Sequence, residues 1–397
     1  MSTPDPIVIL AARRTPIGGF LGSLSSLPAP RLGAAAIRAA VQDCGVPPEH
    51  MDEVYMGCCL MAGLGQAPAR QAALGAGLPE SVGATTLTKM CGSGMKTVML
   101  AHDLLKAEAA RYLVAGGMES MSNAPYLLPA ERKGQRLGHG RTVDHMFFDG
   151  LQDAYGGELM GHYAEAMAQE AGLTRAEQDA YALESIRRAQ HAVDSGLFAH
   201  EVTPVDVQVK GLNTAVDLDE TPSLCQPEKV SRLKAAFGSP GREGTITPAS
   251  SSSISDGAAA LVLTRASTAR AAGLQPLARI VAHSTHAAAP ARFPSAPIAA
   301  IESVLKKAAW SAANVDLFEI NEAFAMVTML TMRALNLPHD KVNVNGGACA
   351  LGHPIGATGA RILVTLIHAL KQRGGQRGVA SLCIGGGEAT AMAIELP

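Results

Sequence analysis

The two ends of this chain repeat one another, and that repetition limits the fold more than any other feature. Ile7-Val8-Ile9-Leu10-Ala11 follows Pro6, and Leu277-Ala278-Arg279-Ile280-Val281 follows Pro276. Asp52-Glu53-Val54-Tyr55-Met56 returns in kind as Asp316-Leu317-Phe318-Glu319-Ile320. Leu113-Val114-Ala115-Gly116-Gly117 returns as Leu382-Cys383-Ile384-Gly385-Gly386. The offsets are 276 − 6 = 270, 316 − 52 = 264 and 382 − 113 = 269. Three matches in one order indicate duplicated halves, each reading strand, helix, strand, helix, strand. That alternation makes mostly parallel sheets covered by helices, an α/β protein. A chain of 397 residues also exceeds what one core usually reaches.

Residues 120–249 interrupt the pattern. They are richer in Gly, Pro, His and charge, and they carry one clear helix, Thr174–Ser195, opened by a Thr174/Glu177 capping box. A long insertion in a compact domain is usually a lid or binding loop. Ser250–Ser255 reads as an ordered loop, because an apolar strand, Ala258–Leu263, follows at once.

Composition narrows the function. The net charge is −2, so no overall field favours nucleic acid or an anionic membrane, and aromatics at 4% are too sparse for base stacking. No apolar run approaches the length of a membrane span. The seven cysteines are scattered with no CxxC pair, which fits reduced thiols in a cytoplasmic protein.

Four places could carry chemistry. Cys91 lies in Leu87-Thr88-Lys89-Met90-Cys91-Gly92-Ser93-Gly94 at a strand-to-helix turn, where a helix N-terminus would stabilise a thiolate; an inert core thiol is the even alternative. His353 lies among glycines ahead of Pro354, suited to a general base or to capping a helix. Cys383 precedes Ile384-Gly385-Gly386-Gly387 at a strand end, where a thiol and free N–H groups can meet one reacting atom. Asn321 follows the strand Leu317–Ile320 at an expected helix start, where a simple N-cap is the plainer reading. The glycines of 343–361 fit neither nucleotide-binding pattern. Strand C-termini are where sites form in open α/β sheets. Two thiols, an imidazole and an amide there suit acyl transfer through a thioester, whereas no paired spacing supports a metal among Cys91, His353 and Cys383.

With these motifs the sequence resembles the thiolase family along essentially its whole length, nearest its acetyl-CoA C-acetyltransferase branch. The carrying segments are Arg14-Thr15-Pro16, Cys91-Gly-Ser-Gly-Met-Lys, Gly116-Gly-Met-Glu-Ser-Met-Ser, Asn321-Glu-Ala-Phe-Ala, Gly352-His-Pro-Ile-Gly-Ala-Thr-Gly-Ala-Arg and Cys383-Ile-Gly-Gly-Gly. The resemblance implies the thiolase fold, duplicated βαβαβ halves layered α/β/α/β/α with an inserted loop domain. Its implied bounds are 1–119 completed by 250–271, a loop domain 120–249 for CoA binding and tetramerisation, and 272–397. It also implies roles. Cys91 becomes acetylated, His353 takes its proton, Asn321 orients a water in an oxyanion site, and Cys383 handles the α-proton. The N–H groups of Cys91 and Gly385 form a second oxyanion site. Ser252 contacts pantetheine, and Met160, Phe237 and Phe324 wall the pocket, with Phe293 beside the acyl chain. The implied activity is reversible Claisen condensation of two acetyl-CoA to acetoacetyl-CoA and CoA by a cytoplasmic homotetramer, with no cofactor beyond the CoA thioesters. A broader-range degradative 3-ketoacyl-CoA thiolase and a non-catalytic acyl-CoA or lipid carrier are the alternatives. The sequence departs from the family at Ser250-Ser251, Ser223, Phe293-Pro294 and Glu388-Ala389.

Overall fold

The structure is a computed structural model that describes residues 5–209, 211–238, 241 and 243–397. Its main sheet is built from β1 (Ile7–Arg14), β2 (Glu53–Gly57), β3 (Gly83–Leu87), β4 (Tyr112–Ser120), β5 (Ser255–Arg265), β6 (Ala278–Ala287), β7 (Leu317–Ile320), β8 (Arg377–Ile384) and β9 (Glu388–Glu395). Across the sheet the order is β3-β2-β4-β5-β1-β6-β9-β8-β7, with the short strand Gly18–Gly19 beside β5. Read outward from its centre, each side repeats the other. β5 and β4 flank β1 as β9 and β8 flank β6, and the parallel pair β2–β4 matches the parallel pair β7–β8.

The register at the centre fixes the symmetry. β1 and β6 pair antiparallel as Ile7–Ile280, Val8–Arg279 and Ile9–Ala278. An offset of 271 (7 + 271 = 278, 9 + 271 = 280) exchanges the outer two pairs and leaves Val8–Arg279 on the axis. The same offset relates two irregularities. β1 skips Leu10 against β5, and β6 skips Val281 against β9 (10 + 271 = 281). A bulge retained at the same place in both halves is a feature of the design, not a defect.

Two of the three sequence offsets need correction. The strand pairs Glu53–Leu113 and Leu317–Gly378 keep the offset of 264 for β2 and β7 but give 378 − 113 = 265 for β4 and β8, not 269. The centre gives 271, not 270. Apolar strands resemble one another at several shifts, and the glycine pairs Gly116-Gly117 and Gly385-Gly386 drew the alignment four residues too far. Only cross-strand pairing decides register.

Alternation along the strands makes the layers. Leu113, Ala115, Leu261 and Leu263 on one side, and Ala380, Leu382, Met392 and Ile394 on the other, face a shared core with the helices Ser93–Lys106 and Thr358–Arg373. The opposite faces are covered by the helix Ala29–Asp43 in the first half and Ala296–Ala308 in the second. The succession is therefore α/β/α/β/α. The two central helices approach closest at their N-termini. A methyl at Gly94 would lie 2.7 Å from the Ala360 nitrogen, and one at Gly359 would lie 2.4 Å from that of Met95. These contacts exchange under an offset of 265, so the axis passes between the two helix starts.

The chain between β4 and β5 carries the helices Met160–Glu170 and Arg175–Asp194 and the hairpin Val205–Val209/Leu212–Val216. The capping box forms as expected, with Thr174 accepting from the Glu177 N–H. Arg14, fully buried, ties this segment to β1 through a two-pronged contact with Asp219 (2.7 and 2.9 Å) and one with Glu201 (2.6 Å). No described helix is long and apolar enough to cross a membrane.

Candidate active site

The turn that carries Cys91 is built by its neighbours. β3 ends at Leu87 and the helix begins at Ser93. Met90 between them has φ +47°, a left-handed conformation that costs a residue with a side chain about 1–2 kcal/mol. Ser93 secures it: its hydroxyl accepts from the Lys89 N–H (2.8 Å) and donates to the Met90 carbonyl (2.6 Å). Cys91 lines a cavity of about 380 Å³ and is partly buried.

His353, Cys383 and Gly385 line the same cavity. Ser252, Met160, Phe237, Phe293 and Phe324 line it too, as the resemblance implied. The three phenyl rings form a continuous wall, with Phe324 edge-on to Phe237 (6.0 Å between centroids) and tilted against Phe293 (6.5 Å). Gly161 makes room for that wall, since a methyl there would lie 2.3 Å from the Phe237 ring. Ser252 uses both its N–H (3.0 Å) and its hydroxyl (3.1 Å) on the Ala323 carbonyl, which fixes the serine-rich loop against the Asn321 segment. That loop is ordered, as expected.

The tautomer of His353 follows from its partners. Nδ1 lies 2.6 Å from the Thr358 hydroxyl oxygen, and that hydroxyl donates its one hydrogen to the Pro354 carbonyl at 2.9 Å. With the hydroxyl hydrogen on Pro354, the assignment that fits is a ring hydrogen on Nδ1 donated to Thr358. Nε2 is left bare, buried and without a partner among the described residues. Burial, with the nearby Arg361 charge adding to it, pushes the imidazole pKa down to about 3. The ring is a neutral base whose open lone pair belongs to the residue lining the cavity.

Cys91 departs from expectation. Cys91 is not held as a thiolate: burial pushes its pKa up to about 11. The N–H groups of Gly385 and of Cys91 itself pull the other way, but they do not overcome desolvation. Cys383 is raised well above the ordinary thiol value, first by burial and then by Cys91. The helix terminus that the sequence offered as a stabiliser is outweighed by the burial that penalises the charged sulfur.

Asn321 departs differently. It does not line the cavity, and it caps no helix, since the next helix starts at Ala325 with Phe324 at its N-cap. Its backbone N–H bonds the Ser381 carbonyl at 3.0 Å. Both side-chain amide atoms are buried without a partner among the described residues. Such an amide calls for a water. Glu322 beside it is fully committed, accepting from Tyr181 (2.9 Å), Ser185 (2.7 Å), Asn343 (2.8 Å) and the Cys349 N–H (3.0 Å).

Three residues that the sequence left without a role hold the site together. Glu119 in the Gly116-Gly-Met-Glu run is buried and accepts from the N–H groups of Cys59 (3.0 Å), Leu60 (3.1 Å) and Gly356 (2.8 Å). It clamps the loop after β2 to the His353 loop of the other half. Lys89 and Glu388 form an ion pair between the Cys91 turn and the strand that follows Gly385–Gly387. Glu388, a departure from the family pattern, thus has a partner in this chain. The motif spacing marked Glu119, but only tertiary contact shows what it binds.

Comparison with known proteins agrees with this geometry. The family model "Thiolase, N-terminal domain" matches residues 7–267, and "Thiolase, C-terminal domain" matches 274–396. An acetyl-CoA acetyltransferase of Pseudomonas aeruginosa is 46% identical over 98% of this chain and 98% of its own. Acetyl-CoA acetyltransferase 2 of Arabidopsis thaliana is 48% identical over 99% and 98%. The crystal structure of the Bacillus anthracis acetyl-CoA acetyltransferase superposes with a TM-score of 0.96 at 40% identity, covering all of both chains. With both halves matched, a common fold and near-complete coverage, this chain belongs to the thiolase family.

Proposed function

We propose that the protein is an acetyl-CoA C-acetyltransferase that interconverts two acetyl-CoA with acetoacetyl-CoA and CoA through acetyl-Cys91. The observation that carries this reading is one cavity lined by Cys91, Cys383 and His353, whose Nε2 has no hydrogen-bond partner among the described residues. A neutral thiol and a neutral imidazole need no standing charge in a largely apolar cavity. Cys91 attacks the acetyl carbonyl of the thioester as His353 Nε2 takes its proton, and the same proton leaves on the CoA sulfur. Asn321, through a water, and His353 hold one oxyanion. The Gly385 and Cys91 N–H groups hold the other, each donor being worth about 3–4 kcal/mol.

In thiolysis the carbon–carbon bond of acetoacetyl-CoA breaks as acetyl passes to Cys91. The raised pKa of Cys383 suits it to protonate the departing acetyl-CoA enolate. The incoming CoA thiol restores that proton as it takes the acetyl group. Condensation runs the same transfers backward. A carrier would have no use for this set of groups, and the aromatic wall of Phe237, Phe293 and Phe324 favours a short acyl chain over a broad range. We further assign 120–249 as the loop domain for CoA binding, Ala124–His145 as the segment joining dimers into a tetramer, and the cytoplasm as its compartment. No cofactor beyond the CoA thioesters is needed for these steps. The test is CoA-dependent loss of acetoacetyl-CoA absorbance by the purified protein. No loss at micromolar enzyme rejects the activity, and a stable dimer by light scattering rejects the tetramer alone.

A further inference from the structure

Where the helix Ser93–Lys106 crosses β6, three side chains from both halves of the chain converge. His102 Nδ1 and His283 Nε2 each lie 2.9 Å from the same oxygen of Asp103, and all three ligand atoms fall within 4.8 Å of one another. The two imidazoles meet edge to face, 4.9 Å between centroids. The internal symmetry shows that the fold does not need this arrangement. The offsets place His368 opposite Asp103 (103 + 265 = 368) and Ala12 opposite His283 (283 − 271 = 12). There the same helix–strand crossing is closed by one contact, His368 Nε2 to the Ala12 carbonyl at 3.1 Å. One half meets the structural requirement with a single hydrogen bond, while the other brings two imidazoles and a carboxylate to one point.

We propose that His102, Asp103 and His283 bind a six-coordinate divalent transition cation, apart from the active site. With metal–ligand bonds of about 2.0–2.1 Å, atoms 2.9 Å apart subtend about 90° at the ion, the octahedral angle and not the tetrahedral one. Two imidazoles, each at about a right angle to the carboxylate oxygen, with remaining positions open to water, suit Ni²⁺, Co²⁺ or Fe²⁺. Asp103 is exposed, so the open face meets solvent, while His102 is nine-tenths buried and anchors the other side. The ion replaces the two N–H hydrogens now shared with Asp103, and each ring moves its proton to its other nitrogen. Lys106 lies near His102, and the Lys307 ammonium donates to the His283 carbonyl at 2.9 Å; both charges oppose the ion and limit its affinity. Bound, the ion would join the helix that Cys91 precedes to a strand of the second half.

The test is titration of the full-length, chelator-treated protein with NiCl₂, followed by calorimetry and by the near-ultraviolet nickel–thiolate band that any of the free cysteines would produce. One Ni²⁺ per chain without that band, with a rise in Tm, is expected. His283→Asn and Asp103→Asn should each weaken binding about a hundredfold, given that even supporting residues are worth 10–100-fold, while His50→Asn changes nothing. Condensation or thiolysis activity of His283→Asn reports that it is folded. No binding by the wild-type protein, binding accompanied by the thiolate band, or binding that survives both ligand substitutions overturns the site.

Discussion

The two turns that feed the central helices occupy equivalent places and hold different chemistry. Counting by 265 from Gly94 and Gly359, Cys91 stands opposite Gly356, His353 opposite Thr88 and Cys383 opposite Met118. By 264, Asn321 stands opposite Gly57. Every proposed catalytic side chain is therefore present in one half only. The second turn is also longer. Ala84 and Val342 hold matching places, opposite Val54 and Phe318, yet 10 residues separate Ala84 from Gly94 and 17 separate Val342 from Gly359. The added length carries the short helix Ala348–Leu351 and brings His353 in toward the axis. Duplication supplied two strand–turn–helix corners that meet, and the proposed mechanism gives one corner the nucleophile and the other its base.

The comparison breaks most sharply at Cys91. Cys91→Ala should lower turnover on the order of 10⁵-fold, as removal of a covalent nucleophile does, and it should abolish acetyl incorporation. If activity survives, the two corners are not divided into nucleophile and base. Next in size is the split between the second half's residues. His353→Ala should slow acylation itself by about 10²–10⁴-fold. Cys383→Ser should leave acylation near normal and lose condensation by a similar factor. Failure of both variants at the same step, measured by rapid quench, would merge the two roles proposed for them.

The pKa shifts give the third prediction. His353 stays a free base well above about 3, and Cys91 stays a thiol well below about 11. Acylation should thus be nearly flat from roughly pH 5 to 9, because both partners keep one form throughout. Alkylation of Cys91 by iodoacetamide needs the thiolate, so it should climb about tenfold per pH unit over that range. A plateau below pH 7 would restore the depressed thiolate that the sequence suggested.

Smaller effects concern the walls. The kcat/KM for 3-ketoacyl-CoA thioesters should fall from four carbons to ten, since a longer tail must displace Phe293 or Phe324 at about 1–3 kcal/mol. Phe293→Met should flatten the series; no change would remove Phe293 from the acyl wall. Smallest is Glu388→Gln, which removes a partly exposed pair with Lys89 and should shift stability by less than about 1 kcal/mol.

Much of this was legible in the sequence. The duplication, the turn carrying Cys91 and the capping box at Thr174 were readable from pattern and motif, whereas the pocket residues came only from the family resemblance. Register was not, because apolar strands match at several shifts until Ile7 and Ile280 are seen to pair. The state of Cys91 was not, because desolvation depends on what closes over the sulfur and local sequence shows only the helix terminus. The partners of Glu119 and of His353 Nδ1 were hidden for different reasons. Glu119 acts across 237 positions, on Gly356. Thr358 is five residues from His353 but declares the tautomer only through its own bond to Pro354.

The central claim is that one corner carries the acyl group and the other moves the proton. It is tested most directly by incubating wild-type protein and Cys383→Ser with acetyl-CoA, quenching in acid and mapping the added mass. The account predicts one acetyl group per chain on Cys91 in both proteins. Acetyl on Cys383, on Cys59 or on no residue would contradict it.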